Sequence, residues 1–396
     1  MQDFRAELGS RALFPKLEAE VYAAHAAISP HSLAVRQAII EVTDSYAERG
    51  VSAVAPWFQA REGLRVKLSQ LLGADPKELA FIRNTSEGVA TIASAYPWEK
   101  GDGVVLYEGE FPTNVTPWLV AAKAHDLRPR FLPSNDFACD SALGLERLEA
   151  ELKKGIKLVA VSSVAFQTGL SMPIKAMAEL SHRYGAHIFV DAIQSLGVVP
   201  IDVTNAGIDF LAAGGHKWLM GPEGTGVLYA KAERAEELRP FNVGWLSHEN
   251  ALDFLFGGEG LLRYDKALRK EIGFVEAGVA NALGFAALDA SLGLLLQLGI
   301  DTIWRHCNAW NDALECELLE RGFKSLRSKR PEQRSGILSV IAPDASHTVA
   351  LHDALNAAKV TCNVPDGKLR FAPHWPNTLE EVPRVLAHID RIMQAA

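Results

Sequence analysis

The most constraining feature of this sequence is the alternation of short apolar runs with longer amphipathic segments between about residues 79 and 230. This alternation is typical of βα units that build a mostly parallel sheet with helices on its faces. Seven of the apolar runs are predicted to be strands: residues 79–82, 104–107, 130–132, 158–161, 187–190, 210–212 and 227–229. The sequence therefore predicts a fold of the α/β class.

One complete βαβ unit can be traced between the fourth and fifth of these strands. Pro173 stands where a helix can begin, and Gly185 can end it. Between them, Met177, Leu180 and Tyr184 recur at helical spacing.

The pattern changes after residue 230. A charged helix is predicted over 231–239, a glycine-rich loop over 256–260 and a long apolar helix over 281–298, followed by a helix and short strands. This order indicates a second, smaller α+β domain. The apolar stretch is interrupted by Asp289 and Gln297 and is too short to span a bilayer, so we expect a buried helix and no membrane segment.

Composition narrows the functional classes. The chain has 396 residues, with 40 Lys and Arg against 48 Asp and Glu, which gives a net charge of −8. An acidic chain lacks overall attraction to a phosphodiester backbone, so we expect no nucleic-acid partner. A basic cluster without interleaved aromatic residues is predicted to be a solvated turn: Lys324, Arg327, Lys329, Arg330 and Arg334.

The N-terminus and the cysteines give expectations about location and metals. Asp3, Arg5 and Glu7 are followed by no apolar run, so we expect no secretory signal and a cytoplasmic protein. The cysteines show neither CxxC pairing nor a histidine at ligand spacing: Cys139, Cys307, Cys316 and Cys362. Disulfides and metal sites are therefore not expected.

Two polar residues that follow neighbouring predicted strands indicate the chemistry. Asp191 ends a wholly apolar strand, at the edge where an open parallel sheet faces its ligand crevice. Lys217 follows the next strand among small and apolar residues, where lost solvation lowers the pKa of an ammonium group toward nucleophilic use. Pyridoxal 5′-phosphate requires a lysine that forms a Schiff base and a carboxylate that keeps its pyridine nitrogen protonated.

This cofactor also needs groups for its phosphate, its ring and its phenolic oxygen. Thr85 and Ser86 stand at a predicted helix start, whose free backbone donors suit a phosphate dianion, and His216 can add a donor. Phe111 is the candidate for stacking on the ring. Gln194 is the candidate for a hydrogen bond to the phenolic oxygen.

Arg370 is the candidate for binding the substrate. It lies among apolar residues in the run 369–373, which suggests partial burial, and a guanidinium can bind a carboxylate through two hydrogen bonds. Taken singly, each candidate has an ordinary structural explanation, such as a cap, a core aromatic or a surface lysine. Their joint appearance in this order favours a cofactor site.

With these residues the sequence resembles the class-V aminotransferase family of pyridoxal-phosphate enzymes, which includes cysteine desulfurases, selenocysteine lyases, kynureninases and proteins like isopenicillin N epimerase. The resemblance runs from residues 22–27 to 369–374 and is most specific over 191–226.

The resemblance implies a fold-type I architecture with a mostly parallel central sheet flanked by helices. It implies a large cofactor domain over 21–275, a small α+β domain formed by 276–396 with 1–20, and a homodimer. It also implies the role of each candidate: Lys217 as the aldimine lysine, Asp191 for the pyridine nitrogen, Gln194 for the phenolic oxygen, Phe111 for stacking, Thr85, Ser86 and His216 for the phosphate, and Arg370 for the substrate carboxylate.

The chain also departs from the family pattern. Many relatives have Ser or Thr where this chain has Gly214, and a Thr where it has Val279, so two expected phosphate donors are absent. Weaker cofactor retention or replacement donors are the expected consequence. Phe166 occupies a place often filled by Asn near the phenolic oxygen, as in the epimerase-like branch.

The resemblance leaves several reactions open. Removal of the Cα proton of an amino acid, with Lys217 as proton carrier, is common to them. Cys362 lies eight residues before Arg370, in a predicted strand without an added flexible loop or basic neighbours, which disfavours a persulfide route. We predict an aminotransferase-type reaction, with a C–S or other β-lyase, a cysteine desulfurase-like enzyme and an epimerase as alternatives.

Two further classes are weighed. A pyridoxal-phosphate-binding sensor without catalysis would be expected to lose Lys217 or Arg370, and both are present. A nucleotide enzyme is disfavoured because the glycine-rich run 221–226 precedes a strand and not the helix that a phosphate cradle requires.

Overall fold

The computed structural model describes residues 4–395. Within that range the chain forms these α-helices: α1 Leu33–Arg49, α2 Val54–Leu72, α3 Thr85–Ala95, α4 Thr116–His125, α5 Asn135–Cys139, α6 Ser141–Leu152, α7 Ile174–Arg183, α8 Ala232–Glu237, α9 Asp253–Phe256, α10 Ala282–Leu298, α11 Ile300–Glu320, α12 Thr348–Ala357 and α13 Glu381–Ala395. The strands are β1 Val21–Tyr22, β2 Leu79–Ile82, β3 Gly103–Glu108, β4 Arg128–Pro133, β5 Ile156–Ser162, β6 His187–Asp191, β7 Phe210–Gly214, β8 Gly226–Ala230, β9 Lys324–Ser325, β10 Leu338–Ile341, β11 Val360–Thr361 and β12 Leu369–Phe371.

A seven-stranded sheet forms the centre of the molecule, in the order β2-β8-β7-β6-β5-β3-β4. Each of the seven predicted strands is present. β8 pairs antiparallel with both of its neighbours, and the other pairings in the sheet are parallel. The prediction of an α/β fold with a mostly parallel sheet is confirmed.

Side chains alternate between the two faces of this sheet, as the period of a β-strand requires. In β6, for example, Ile188 and Val190 join a core cluster on one face, whereas Phe189 joins the cluster on the other. Helices α2 and α10 cover the first face, and α3 and α4 cover the second. Burial on both faces explains why these strands read as continuous apolar runs.

The apolar helix α10 has clear sequence signals at both ends. The side chain of Asn281 accepts a hydrogen bond from the backbone N–H of Gly284 at 2.9 Å and so caps the helix. Gly299 follows the last turn with φ of +77°, a conformation that glycine adopts without strain. The helix packs against α1 and α2, next to the central sheet.

A second packing unit contains the antiparallel sheet β12-β10-β9 and helices α11, α12 and α13. The N-terminal strand β1 joins it by pairing with β11. The predicted domain boundary between residues 275 and 276 stays a prediction. The helix that follows it, α10, lies in the core cluster of the central sheet.

Two local predictions differ from the structure. The charged helix predicted over 231–239 is the shorter α8, and the strand predicted around Cys362 is limited to the two residues of β11. Among residues 4–395 no single helix combines the length and apolar character needed to cross a membrane. α10 and α11 meet those criteria only as a pair, across a bend of 79°.

The basic cluster is only partly the solvated turn that the sequence suggests, because Lys324 and Lys329 are exposed but Arg327 is not. Arg327 is buried, and its guanidinium bonds Glu315 at 2.8 Å and Asn308 at 2.6 Å, and pairs with Asp312. These partners lie on α11, which precedes the cluster. The sequence shows the basic residues and the polar residues of α11, but it does not show that the two segments pack against each other.

Candidate active site

The centre of the site is formed by Asp191 and Lys217. Asp191 is the last residue of β6, and Lys217 follows the end of β7 by three residues. The two strands are parallel, with Asp191 opposite Ala212. Because the carboxyl ends of parallel strands share one edge of a sheet, both side chains reach the same crevice.

Burial shifts the ionisation of both residues. It lowers the pKa of Lys217 to about 8, with Asp191 acting in the opposite direction and the charge of Arg370 lowering it further. Burial raises the pKa of Asp191 to about 6, against a hydrogen bond from the Ile193 N–H at 3.0 Å and the charge of Lys217. At neutral pH the site therefore contains a carboxylate and an amine that is partly deprotonated.

Phe111 lies over the lysine. The Nζ atom of Lys217 is 5.7 Å from the centroid of the Phe111 ring, and this ring meets Phe166 edge-on, with centroids 5.3 Å apart. The Phe111 side chain is 46% exposed. A flat apolar surface is therefore open to a ligand beside the amine.

The predicted phosphate helix is α3, and Thr85 and Ser86 are its first two residues. Asn84 caps the helix by accepting the N–H of Glu87 at 2.9 Å. The Thr85 hydroxyl accepts the N–H of Gly214 at 3.0 Å, which leaves its own hydrogen available. This contact ties the start of α3 to the end of β7.

Close packing of α3 on the sheet brings its N-terminus to the crevice. A Cβ atom on Gly88 would lie 2.6 Å from the Cβ of Ala212, so a larger residue there would push the helix away. The Ser86 hydroxyl lies 2.8 Å from that of Thr113, which follows Phe111 by two residues. Thr113 was not predicted as a site residue, because a lone threonine in a turn carries no signal by itself.

Gln194 and His216 follow the carboxyl ends of β6 and β7. The Gln194 amide donates to the Ala26 carbonyl at 3.0 Å and accepts from the Trp218 indole at 2.9 Å, so one amide hydrogen remains for a ligand. Burial, and then the charge of Lys217, lowers the pKa of His216, which keeps its ring neutral at pH 7.

Arg370 is the residue of β12 that faces the site. Its guanidinium donates to the Phe166 carbonyl at 2.8 Å and to the Asn363 side chain at 3.4 Å, whereas its Nε atom is buried without a partner. Among residues 4–395 no carboxylate lies within ion-pair distance of it. Burial lowers the pKa of Arg370 to about 10, so the group is desolvated and suited to an external anion.

Glu110 is a partly buried acid that the sequence did not single out. It accepts hydrogen bonds from the backbone N–H of Ser162, at 2.6 Å, and from its hydroxyl. Ser162 lies opposite Asp191 across β5 and β6. Burial raises the pKa of Glu110 to about 7 against the Ser162 bonds, and the charge of Asp191 adds to the rise. The sequence signal that could have identified Glu110 is its position two residues past the end of β3.

Cys362 has the surroundings of a structural thiol. Its side chain is 1% exposed, and burial raises its pKa to about 12. It follows β11 directly and packs in the core of the second unit. A thiolate nucleophile needs exposure and a lowered pKa, and this residue has neither.

Comparison with known proteins gives a consistent result. The profile of the aminotransferase class-V family matches residues 21–367. An uncharacterized aminotransferase of Bacillus subtilis is 31% identical over 384 residues, which are 96% of each chain.

Two solved structures share the fold. The apo cysteine desulfurase of Thermococcus onnurineus superposes with a TM-score of 0.87 at 25% identity and full coverage of both chains. A variant of the cystine C–S lyase C-DES, solved with glycine covalently linked to its PLP cofactor, gives a TM-score of 0.85 at 21% identity, covering 96% of this chain and 98% of the other. The second likeness concerns the fold alone.

Proposed function

The chain belongs to the class-V aminotransferase family and is a pyridoxal-phosphate enzyme, and on that basis we propose that it catalyses an aminotransferase-type reaction at the Cα atom of an amino acid. The observation that carries the amino-acid substrate is the buried guanidinium of Arg370, which has no carboxylate partner within residues 4–395 and acts electrostatically on Lys217. The choice of an aminotransferase-type reaction rests on the family. A free α-carboxylate would supply the missing anion.

The residues of the crevice fit the cofactor. Pyridoxal phosphate, when bound, supplies an electron-withdrawing ring that stabilises negative charge at Cα. The buried carboxylate of Asp191 suits a protonated ring nitrogen, and the partly neutral amine of Lys217 suits a covalent link to an aldehyde. Phe111 offers a ring surface and Gln194 an amide hydrogen.

The phosphate would be held at the start of α3. Free backbone N–H groups and the Thr85 and Ser86 hydroxyls offer donors there, and His216 can add another. The chain lacks hydroxyls at Gly214 and Val279, where the family resemblance leads us to expect them. The Thr113 hydroxyl, hydrogen-bonded to Ser86 at the start of α3, is the replacement that we propose.

Arg370 would orient the substrate, and Lys217 would move the proton. A carboxylate bonded to the guanidinium places Cα within reach of the crevice that contains the amine. The pKa of Lys217, about 8, lets the amine accept a proton from Cα and return it to another atom near neutral pH. Delivery of a proton to the opposite face of Cα would give epimerisation instead.

A second copy of the chain is the proposed partner. Large apolar side chains between residues 241 and 279 are exposed: Phe241, Val243, Trp245, Leu255, Phe256, Leu262, Tyr264 and Val279. A concentration of exposed large apolar residues in one stretch of the chain suits a subunit interface. It includes Val279, the position where the family resemblance implies a threonine that reaches the neighbouring subunit. Sedimentation velocity of the purified chain tests the dimer.

A desulfurase reaction is the main competing proposal, because several relatives carry that name. The buried thiol of Cys362 argues against a persulfide formed on this residue. β-Elimination from a sulfur-containing amino acid needs the Lys217 amine and the Arg370 guanidinium but no thiol, so it remains the second candidate.

One experiment separates these reactions. Cofactor-loaded protein is mixed with each amino acid, and keto acid, sulfide, ammonia and loss of optical activity are assayed separately. Keto acid formed without ammonia supports transamination. Ammonia with sulfide from cysteine, or with cysteine persulfide from cystine, would support β-elimination instead. Racemised substrate would support epimerisation.

A further inference from the structure

Three successive backbone carbonyls around the lysine are each held by a group from elsewhere in the chain. The Ser29 N–H donates to the His216 carbonyl at 2.9 Å, and the Ser29 hydroxyl donates to the Lys217 carbonyl at 2.6 Å. The Nε2 atom of His374 lies 2.9 Å from the Trp218 carbonyl. The backbone around Lys217 is therefore held by one residue near the N-terminus of the chain and by another near its C-terminus.

The hydrogen positions in this group follow from its geometry. The backbone N–H of Trp375 donates to Nδ1 of His374 at 2.7 Å, so the ring hydrogen of His374 is on Nε2 and faces Trp218. The Ser29 hydroxyl hydrogen is committed to the Lys217 carbonyl. Nδ1 of His25, 2.7 Å from the Ser29 oxygen, is therefore the donor of that bond.

These groups are shielded from water. Ser29 and His25 are each 2% exposed, and His374 is fully buried. The two imidazole rings meet edge-on, with centroids 5.3 Å apart. Water cannot readily replace a bond lost here. Without the Ser29 hydroxyl, the Lys217 carbonyl would keep only the N–H of Met220, at 2.9 Å, which lies in the same loop and does not tie it to the rest of the chain.

We propose that Ser29, His25 and His374 form a carbonyl clamp that positions Lys217 through its backbone. They are positioning residues, because their bonds reach the main chain of the lysine loop and not the amine. By fixing that loop, the clamp holds the amine in the buried crevice beside Phe111. The importance of the clamp for the reaction rests on the proposed role of Lys217.

The clamp also links the lysine to the proposed substrate group. His374 follows Arg370 by four residues, and the intervening Ala372 accepts the N–H of His25 at 3.1 Å. The segment that contains Arg370 therefore also contains His374, one of the three clamp residues. This arrangement fixes the spacing between the amine and the substrate carboxylate.

The test measures the Lys217 amine itself. The full-length protein is freed of cofactor and labelled with trace acetic anhydride across a pH series, and acetylation of the Lys217 peptide is followed by mass spectrometry. The wild type should show a midpoint near the Lys217 pKa of about 8. Ser29→Ala should move the midpoint upward by about half a unit, because a loosened lysine gains solvent, and should slow labelling at pH 7.5 about threefold.

Matched variants separate positioning from general destabilisation. Ser181 is equally buried and donates its hydroxyl to the Met177 carbonyl within α7, so Ser181→Ala should leave the midpoint unchanged. Ser29→Thr keeps the hydroxyl and should restore the wild-type midpoint. His374→Leu should shift it as Ser29→Ala does.

A wild-type midpoint in both Ser29→Ala and His374→Leu would overturn the clamp, as would an equal shift in Ser181→Ala. If one variant fails to fold, judged by circular dichroism, the other still decides. The outcome is independent of the proposed function. Failure of the wild type to take up pyridoxal phosphate would refute the role of Lys217 in cofactor binding but would leave the labelling result intact.

Discussion

The Nζ atom of Lys217 lies 5.7 Å from the centre of the Phe111 ring, and the ring stands nearly perpendicular to that of Phe166. The amine and the aromatic face are therefore close neighbours. The carboxylate of Asp191 and the guanidinium of Arg370 both act electrostatically on this amine. Each of the following predictions changes one of these groups.

Phe111→Leu should weaken cofactor binding about three- to tenfold, because stacking on an aromatic face contributes about 0.5–1.5 kcal/mol beyond burial. Titration of the cofactor-free protein with pyridoxal phosphate, followed by absorbance, measures the dissociation constant. Phe131→Leu is the matched control, since Phe131 on β4 is 45% exposed and Phe111 is 46% exposed. Equal dissociation constants in the two variants would show that Phe111 does not contact the cofactor.

Arg370→Lys should raise KM for amino acids about a hundredfold and leave the absorbance of the bound cofactor unchanged. Lysine keeps the charge but loses the planar pair of N–H groups that binds a carboxylate, and loss of a buried hydrogen-bonded partner costs about 2–5 kcal/mol. Steady-state kinetics with several amino acids provide the measurement. An unchanged KM would assign substrate binding to another group.

Glu110→Gln should make the slope of the unfolding free energy against pH more positive than it is in the wild-type cofactor-free protein. Burial raises the pKa of Glu110 to about 7 from 4.5. Between these values the folded protein keeps a proton that the unfolded chain has released, so stability falls as pH rises, by at most about 3 kcal/mol. Urea unfolding at half-unit steps from pH 4.5 to 7.5 measures this slope.

The variant is compared with the wild type because other buried groups also titrate. Burial lowers the pKa of His374 to about 4, which makes stability rise with pH below 6.5 and opposes the Glu110 effect. Glu108→Gln serves as the control, since Glu108 is exposed at the end of β3. A wild-type slope in Glu110→Gln would show that this carboxyl is ionised throughout.

Cys362→Ala should leave turnover of every active amino acid within about twofold of the wild type, because the thiol is buried and its pKa is raised to about 12 by burial. The variant loses some packing, so activity is measured well below its melting temperature. Complete loss of sulfide release from cysteine in a folded Cys362→Ala protein would instead establish a persulfide route.

The sequence predicts the central sheet well because its strands are buried on both faces and read as uninterrupted apolar runs. It also places Asp191 and Lys217, because polar residues after such strands have few positions to occupy. The contacts of Ser29 and His374 with the lysine loop join segments 188 and 156 residues apart, and no local pattern encodes them.

Charge patterns were the weakest guide. The cluster around Arg327 resembles a solvated turn because its partners on α11 lie a dozen or more residues earlier. Glu110 presents the same difficulty, because a single acid past a strand end looks exposed in the sequence. Its partial burial depends on contact with the Ser162 peptide of a different strand. In both cases tertiary packing, and not the local sequence, decides whether a charge faces water.

The most direct test of the account is to find the residue that holds the cofactor. Cofactor-loaded wild-type protein is reduced with sodium borohydride, which makes the link between an amine and pyridoxal phosphate permanent, then digested and analysed by mass spectrometry. The account predicts a single modified lysine, Lys217, and no modification in Lys217→Ala. Modification of a different lysine, or none in the wild type, would contradict it.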